Sequence, residues 1–408
     1  MSKEIFLEIG TEEIPAGFLP KAMADMERLI RKELEGARVE FGAIRTMATP
    51  RRLALSVEGV AEQQPTLKVE AMGPAKKIAF DQDGNPTKAA IGFARGQGLD
   101  VSDLQLISTD KGEYLFAQKE EAGRATAELL KEILQRLVNG LPFKKSMRWK
   151  DLDVRFARPM HWIVALFGGE VVPFTFGNLE SGHLSRGHRF MAPQEFVVTG
   201  LSDWLEKCRA HYVLADQVER KAKIREQVIE TGRLAGGSVS MDEDLLEEVT
   251  YLVEDPTPLC GAFEEKYLQL PRELLVTSMR EHQRYFTIED AAGELLNKFI
   301  TVSNTRAEDP QVVIKGNERV IRARLSDAMF FWEEDQKVKL ESHLDDLKNV
   351  IYQAKLGTSF EKVERFTKIA VGLAERFDPQ ARDLTGRAAR LAKCDLESKM
   401  VYEFPELQ

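Results

Sequence analysis

The sequence predicts an α+β fold, with a mixed α/β amino-terminal module followed by an all-helical domain. Three observations carry this. Short strand-like runs at residues 5–9 and 160–167 are interspersed with helical spacing, Gly168-Gly169 sits between two strand-like runs, and from Pro310 onward the apolar residues recur at helical intervals.

The elements follow in order. Residues 5–9 read as a strand, TEEIP turns it, and residues 18–34 place Leu19, Met23, Met26 and Ile30 at helical spacing. Strand-like runs at 39–47 and 53–60, with TPRR between them, complete a β-α-β-β unit over residues 1–60. Residues 73–98 are turn-rich, with GP and DGNP, and a short helix starts near Thr87. Strands are expected at 104–108 and 114–119, and a helix at 126–138. Runs at 160–167 and 171–176 flank Gly168-Gly169, a two-residue hairpin signal. Helices are expected across 203–234, 242–253 and 272–281, and strands at 284–288 and 298–303.

Beyond Pro310 nearly everything reads as helix, with breaks at Leu356-Gly357 and Asp378-Pro379. Ile321, Leu325, Ala328, Met329 and Trp332 form one apolar stripe, and Arg319 and Arg322 lie off it. A boundary at 305–310 gives segments 1–60, 61–308 and 309–408. The last is expected to be incomplete, because the chain stops at EFPELQ with neither a capping glycine nor a charged tail.

The 408 residues, 43% hydrophobic and 30% charged, suit two or three globular domains and exclude a disordered or fibrous chain. The longest apolar stretch, residues 162–167, is far short of the ~20 residues that cross a bilayer, and the amino terminus is acidic, so a cytoplasmic protein is expected. Cys208, Cys260 and Cys394 are widely spaced and lack a CxxC pattern, which indicates small buried hydrophobes. With 57 Lys and Arg against 66 Asp and Glu, the net charge of -9 argues against indiscriminate coating of nucleic acid. Positive charge is local instead. Residues 144–161 hold six cations against Asp151 and Asp153, and residues 315–324 hold four against Glu318.

No phosphate-loop, dinucleotide, HExxH or GxSxG signature is present. The best positive signal is KKSMRW with RPMHW, which interleaves cations with Trp149 and Trp162, a combination that holds phosphates and stacks bases. For either tryptophan alone a core position is the commoner explanation. LSRGHRF crowds Arg186, His188 and Arg189 around a glycine, as suits approach to a phosphate. In REHQRYF, Glu281 and His282 could form an acid-base pair, but adjacent residues point apart. TPRRL reads as a solvated turn. In KGNERVIRARL, Arg322 and Arg324 suit either a phosphate backbone or surface ion pairs with Glu318 and Asp327.

Read together, LEIGTEEIPAGFL, TPRRLA, DGNPTKAAIGFAR, RFARPMHWIVALFG, LSRGHRF, EDPTPLCGAF, REHQRYF, KGNERVIRARLSDAMFFWEED and KLGTSFEKVER resemble the β subunit of bacterial glycyl-tRNA synthetase of the heterotetrameric type. The resemblance runs the length of the chain, which is similar to an amino-terminal portion of that subunit. It implies an α2β2 assembly in which the α subunit binds glycine, ATP and Mg and makes the adenylate, while the β chain contacts tRNA(Gly). It also implies an amino-terminal module like the editing-type module of phenylalanyl-tRNA synthetase β chains, then a helical domain like the HD phosphohydrolases. A metal-dependent HD site needs an adjacent His-Asp pair. None of the six histidines is followed by Asp, and only Asp395 is placed to serve as the distal ligand, so a metal-free scaffold is expected.

The expected function is tRNA positioning for glycylation at the α subunit, with no membrane partner. The residues assigned to tRNA or interface contacts are Lys144, Lys145, Arg148, Trp149, Arg158, Arg186, His188, Arg189, Arg322 and Arg324. No catalytic, cofactor or metal residue is assigned. The alternatives are a hydrolase, either metal-dependent or an editing deacylase, and a purely structural platform for the α dimer.

Overall fold

The computed structural model describes residues 2–110 and 112–408. The chain packs as two compact units, Met1–Asp216 and Gln217–Gln408, with the mixed elements of an α+β protein.

The first unit opens with β1 (Ser2–Thr11), α1 (Leu19–Gly36), β2 (Ile44–Thr49) and β3 (Arg52–Ala61), the β-α-β-β start that the sequence predicts. Next come β4 (Leu67–Ala75), α2 (Lys88–Gln97), β5 (Gln105–Thr109), β6 (Gly112–Glu121) and α3 (Thr126–Gly140). The unit continues with β7 (Met160–Phe167), β8 (Glu170–Val171), β9 (Leu184–Arg186), β10 (Glu195–Val197) and α4 (Leu201–Ala210). An antiparallel sheet has the order β2-β3-β1-β7-β8, and a smaller one β4-β6-β5.

Alternation sorts the larger sheet into two faces. Phe6, Met47, Ala54, Trp162, Val164 and Leu166 pack on Val198, Leu201, Trp204 and Cys208. Helix α1 is amphipathic, burying Leu19, Met23, Met26, Ile30 and Leu34.

Two expectations are corrected in this unit, and one strand goes beyond them. The run at 39–47 is a strand only from Ile44, because residues 40–43 bond irregularly to β3, through Gly42 N to Glu58 O and Ala61 N to Glu40 O. The run at 171–176 is broken by Pro173, which has no N–H to donate, and survives only as β8 and a two-residue strand at Thr175–Phe176. Strand β4 was not anticipated at all.

The second unit begins with α5 (Gln217–Leu234), α6 (Glu243–Thr250), β11 (Thr257–Ala262), α7 (Arg272–Gln283), β12 (Phe286–Glu289) and β13 (Leu295–Ser303). It ends with α8 (Pro310–Gln336), α9 (Ser359–Phe377), α10 (Arg382–Leu391) and short helical turns. The three-stranded sheet has the order β11-β13-β12. Asp309 caps α8 by accepting from Gln311 N at 2.9 Å, and Pro310 occupies its first turn. The predicted stripe is the packing face of α8: Ile321, Leu325 and Ala328 are buried against Leu274, Leu275, Met279 and Phe299, and Met329 and Trp332 flank them.

The expectation of near-continuous helix after Pro310 is corrected over residues 337–358. Two 3-10 turns, Leu340–Leu344 and Asp346–Lys348, precede a small hairpin of Ile351–Gln353 with Gly357–Thr358. Gly357 has φ +85, which side-chain-bearing residues avoid, and Thr358 and Glu361 then form a capping box that starts α9.

In the second unit Tyr285 stacks on Phe299 at 4.5 Å and donates to Asn317 Oδ1 at 2.6 Å, and burial pushes its hydroxyl up to about 12. Tyr251 is likewise pushed up to about 12, by burial first and then by Glu247. Raised folded values mean the folded state keeps these protons while the unfolded chain loses them. Stability is therefore full below an unfolded value of ~10 and falls as pH rises toward 12, by on the order of 2 kcal/mol per group. An ultraviolet titration is expected to show Tyr251 and Tyr285 ionising late and together with unfolding. Ionisation of these two in the native state near their ordinary value contradicts this.

Candidate nucleic-acid interface

Four of the conspicuous sequence strings, TEEIP, TPRRL, RPMHW and SRGHRF, meet at one end of the large sheet. The register explains how. Gly10 of β1 pairs with Arg52 of β3 on one side and with Trp162 of β7 on the other. All three lie on the same face, and the missing side chain at Gly10 leaves room for the indole. A Cβ there would fall 1.9 Å from Trp162 Cε2. The Arg52 guanidinium sits 5.1 Å from the Trp162 ring, and those of Arg186 and Arg51 lie at 5.5 and 5.9 Å.

Arg52 is fully buried, donating to Glu8 Oε1 at 3.1 Å and to Gly187 O at 3.0 Å. The reading of TPRRL as a solvated turn is thus overturned at Arg52. Gly187 admits no side chain, since a Cβ would meet Ala192 O at 2.0 Å. Glu8 Oε2, Thr11 Oγ1, Trp162 Nε1, Ser185 Oγ and His188 Nε2 are buried here without a hydrogen-bond partner. Native cores pair nearly all such atoms, so this concentration marks a polar hub rather than an ordinary core.

The hub has an exposed rim. The register slips between Gly10 and Thr11, which pair with Trp162 and Met160, so His161 is the bulged residue, and such bulges re-aim side chains. His161 Nε2 lies 3.1 Å from Glu12 Oε2. Arg189 donates to Glu12 Oε1 at 2.8 Å and Glu13 Oε1 at 3.2 Å. Burial works to raise the Glu12 carboxyl, but the His161 hydrogen bond and the charges of Arg51 and Arg189 outweigh it and hold it below the usual carboxylate range. Phe190 stands 69% exposed with the Arg189 guanidinium 5.0 Å from its ring, a free stacking face that sequence reasoning passed over.

The ten assigned residues therefore divide. Arg186 is half-buried and holds Glu195 through Nε at 3.2 Å and Nη2 at 2.9 Å, and Arg189 is held by Glu12 and Glu13. His188 is fully buried, its Nδ1 accepting from the backbone of Phe190 and Met191 at 3.3 Å each. It shapes the loop from inside and has no exposed surface for RNA. Arg322 and Arg324 lie on α8 in the second unit, paired with Glu264 at 2.7 Å and Glu403 at 3.4 Å.

The remaining five lie on the irregular excursion between α3 and β7. Met147 and Phe156 exchange backbone hydrogen bonds at 2.9 and 3.2 Å, pinching it into a loop. Phe156 packs edge-on against Phe143 at 4.8 Å, and Trp149 lies 6.4 Å from Phe176, which leaves its indole half-buried. Lys150 has φ 50, a left-handed turn at the tip. Lys144, Lys145 and Lys150 are exposed and form no ion pair among the described residues, whereas Arg148 reaches Asp153 at 3.6 Å. Arg158 is half-buried, donating to Ala157 O at 2.9 Å.

Glu281 and His282 share α7 but do not pair with each other. Glu281 is bound by Arg280, and the His282 ring sits edge-on to Phe404 at 5.8 Å with Nε2 buried and unpartnered. Among the described residues no three or more His, Cys, Asp and Glu side chains converge as metal ligands. No helix among them is long and apolar enough to cross a membrane.

Comparison with known proteins gives the class first: the relatives are subunits of an aminoacyl-tRNA synthetase. The chain is 64% identical over 408 residues to the glycine–tRNA ligase beta subunit of Syntrophotalea carbinolica. It is 61% identical over the same length to those of Geobacter sulfurreducens and Citrifermentans bemidjiense. In each case the whole chain is covered, and it spans 59% of the relative's length. A model of the glycyl-tRNA synthetase beta subunit matches residues 5–408, and the chain belongs to that family.

Proposed function

We propose that this chain binds tRNA(Gly) and positions it for ATP-dependent glycylation at the active site of a partner α subunit in an α2β2 assembly. ATP and Mg are held by that partner, this chain supplies no catalytic group, and the assembly works in the cytoplasm. The relatives' designation as beta subunits supports a heteromeric partner.

The observation that carries the reading is the loop between α3 and β7. On a chain of net charge -9, Lys144, Lys145 and Lys150 stand exposed without a carboxylate partner, beside a half-exposed indole. Unneutralised cations release counterions on meeting phosphates, and an adjacent aromatic face stacks a base. Phe190 adds a second stacking face in the first unit. Rate enhancement would come from proximity, since a held acceptor end turns an encounter into an oriented transfer. In this reading the first unit is built like the editing-type module of phenylalanyl-tRNA synthetase β chains, and the late helices form a metal-free HD-like scaffold.

Two measurements test it. Titrating tRNA(Gly) against the chain is expected to give salt-sensitive binding, and a salt-independent or absent signal defeats the RNA assignment. Glycine-dependent ATP–pyrophosphate exchange by the chain alone is expected to stay at background, rising only when the α subunit is added. Exchange without that subunit overturns the division of labour.

A further inference from the structure

We infer that a cleft between α9 and α10 in the second unit is a binding site for a phosphate group. The two helices approach closely because α10 carries Gly386 at the crossing, where a Cβ would already lie 3.1 Å from Val371 Cγ2 of α9. Beside the crossing a cavity of about 330 Å³ opens, lined by Thr367 and Val371 from α9 and by Arg387 and Arg390 from α10. That volume falls at the lower end of the range for small-ligand pockets.

The charges are arranged unevenly. Arg382, also on the cavity wall, is neutralised by Glu375 at 2.7 Å and Asp383 at 3.0 Å. Arg387 and Arg390, three apart on one helix face, form no ion pair among the described residues. Like charges at this spacing repel, a cost that an anion held between them reverses. Glu341 is the one other carboxylate on the lining, so the two free guanidiniums leave the cleft cationic.

The Thr367 hydroxyl is the independent observation. It is buried without a hydrogen-bond partner, although a threonine inside a helix ordinarily bonds the carbonyl four residues back. Two guanidiniums on one small cavity, with an unpaired hydroxyl on a third lining residue, suit the oxygens of a phosphate, for which arginine offers paired donors. Leu344 and Leu391 form an apolar part of the wall, and the carboxylates of Glu341 and Asp383 complete the lining.

The phosphate could belong to a free nucleotide or to a polynucleotide backbone, and the experiment separates them. Inorganic phosphate is titrated into the purified chain by phosphorus NMR, followed by competition with AMP and with a single-stranded RNA. Wild-type protein is expected to bind phosphate. The R387Q/R390Q variant should bind on the order of tenfold or more weakly, as loss of charge-assisted bonds demands. T367V, which keeps the helix packing, should weaken binding less, and R376Q, a cation on α9 outside the cavity lining, should leave it unchanged. Displacement by AMP assigns the source to nucleotides, and displacement by RNA alone assigns it to a backbone. Absent phosphate binding to wild type, or equal loss in R376Q, overturns the site. Thermal melts of each variant check the fold, and T367V keeps the test decisive if the double variant unfolds. No tRNA is needed to detect phosphate, so this site and the tRNA reading fail separately.

Discussion

Arg52→Met is expected to destabilise the first unit by about 3–5 kcal/mol, the cost of stranding one partner of a buried ion pair. Glu8 and Arg52 are both fully buried, 3.1 Å apart, and Glu8 Oε2 has no other partner to take up the charge. The substitution also frees Gly187 O of its donor and removes the nearest of the three cations over Trp162. For a unit of this size the melting temperature should fall by roughly 10 °C. The double variant Glu8→Met with Arg52→Met should recover much of the loss, because an apolar pair of similar shape has no charge to strand. A double-mutant cycle by urea denaturation measures both. A single-variant loss under about 1 kcal/mol, or no recovery in the double variant, would show that the pair is solvated in solution.

This pair also shows where sequence reading stops. Strand β1, the hairpin at Gly168-Gly169 and the stripe on α8 were legible because each signal is local: alternation, a turn that needs positive φ, and helical spacing. Gly168 and Gly169 do adopt φ 59 and 88. The burial of Arg52 was not legible. It arises because Gly10 is flanked by residues about forty and one hundred and fifty positions away, a register no window contains. Strand β4 was hidden by Gly73-Pro74 near its end, read as a turn but accommodated where the pairing with β6 slips between Met72 and Ala75. The cation clusters were visible in composition. Their division into paired and unpaired members was not, since the carboxylates that hold Arg186, Arg189 and Arg322 come from other elements.

That division yields the second large effect. Charge reversal of Lys144, Lys145 and Arg148 together is expected to weaken tRNA(Gly) binding on the order of a hundredfold and to flatten the slope of log affinity against log salt by about 2 to 3. The reasoning is electrostatic. Each unneutralised cation that meets a phosphate releases a condensed counterion, so removing three such contacts lowers both affinity and the number of ions released. Lys144 and Lys145 have no carboxylate to abandon, and Arg148 has only Asp153, itself fully exposed, at 3.6 Å. Arg322→Gln is the matched control. Its guanidinium is already bound to Glu264 at 2.7 Å, so its loss should change affinity by no more than about threefold. Because the loop is held by Met147, Phe143 and Phe156 rather than by its cations, the triple variant should melt at the wild-type temperature. An unchanged salt slope in the triple variant would remove this loop from the interface. An equal loss in Arg322→Gln would mean that the long-range field of the chain, rather than a specific loop, attracts the RNA.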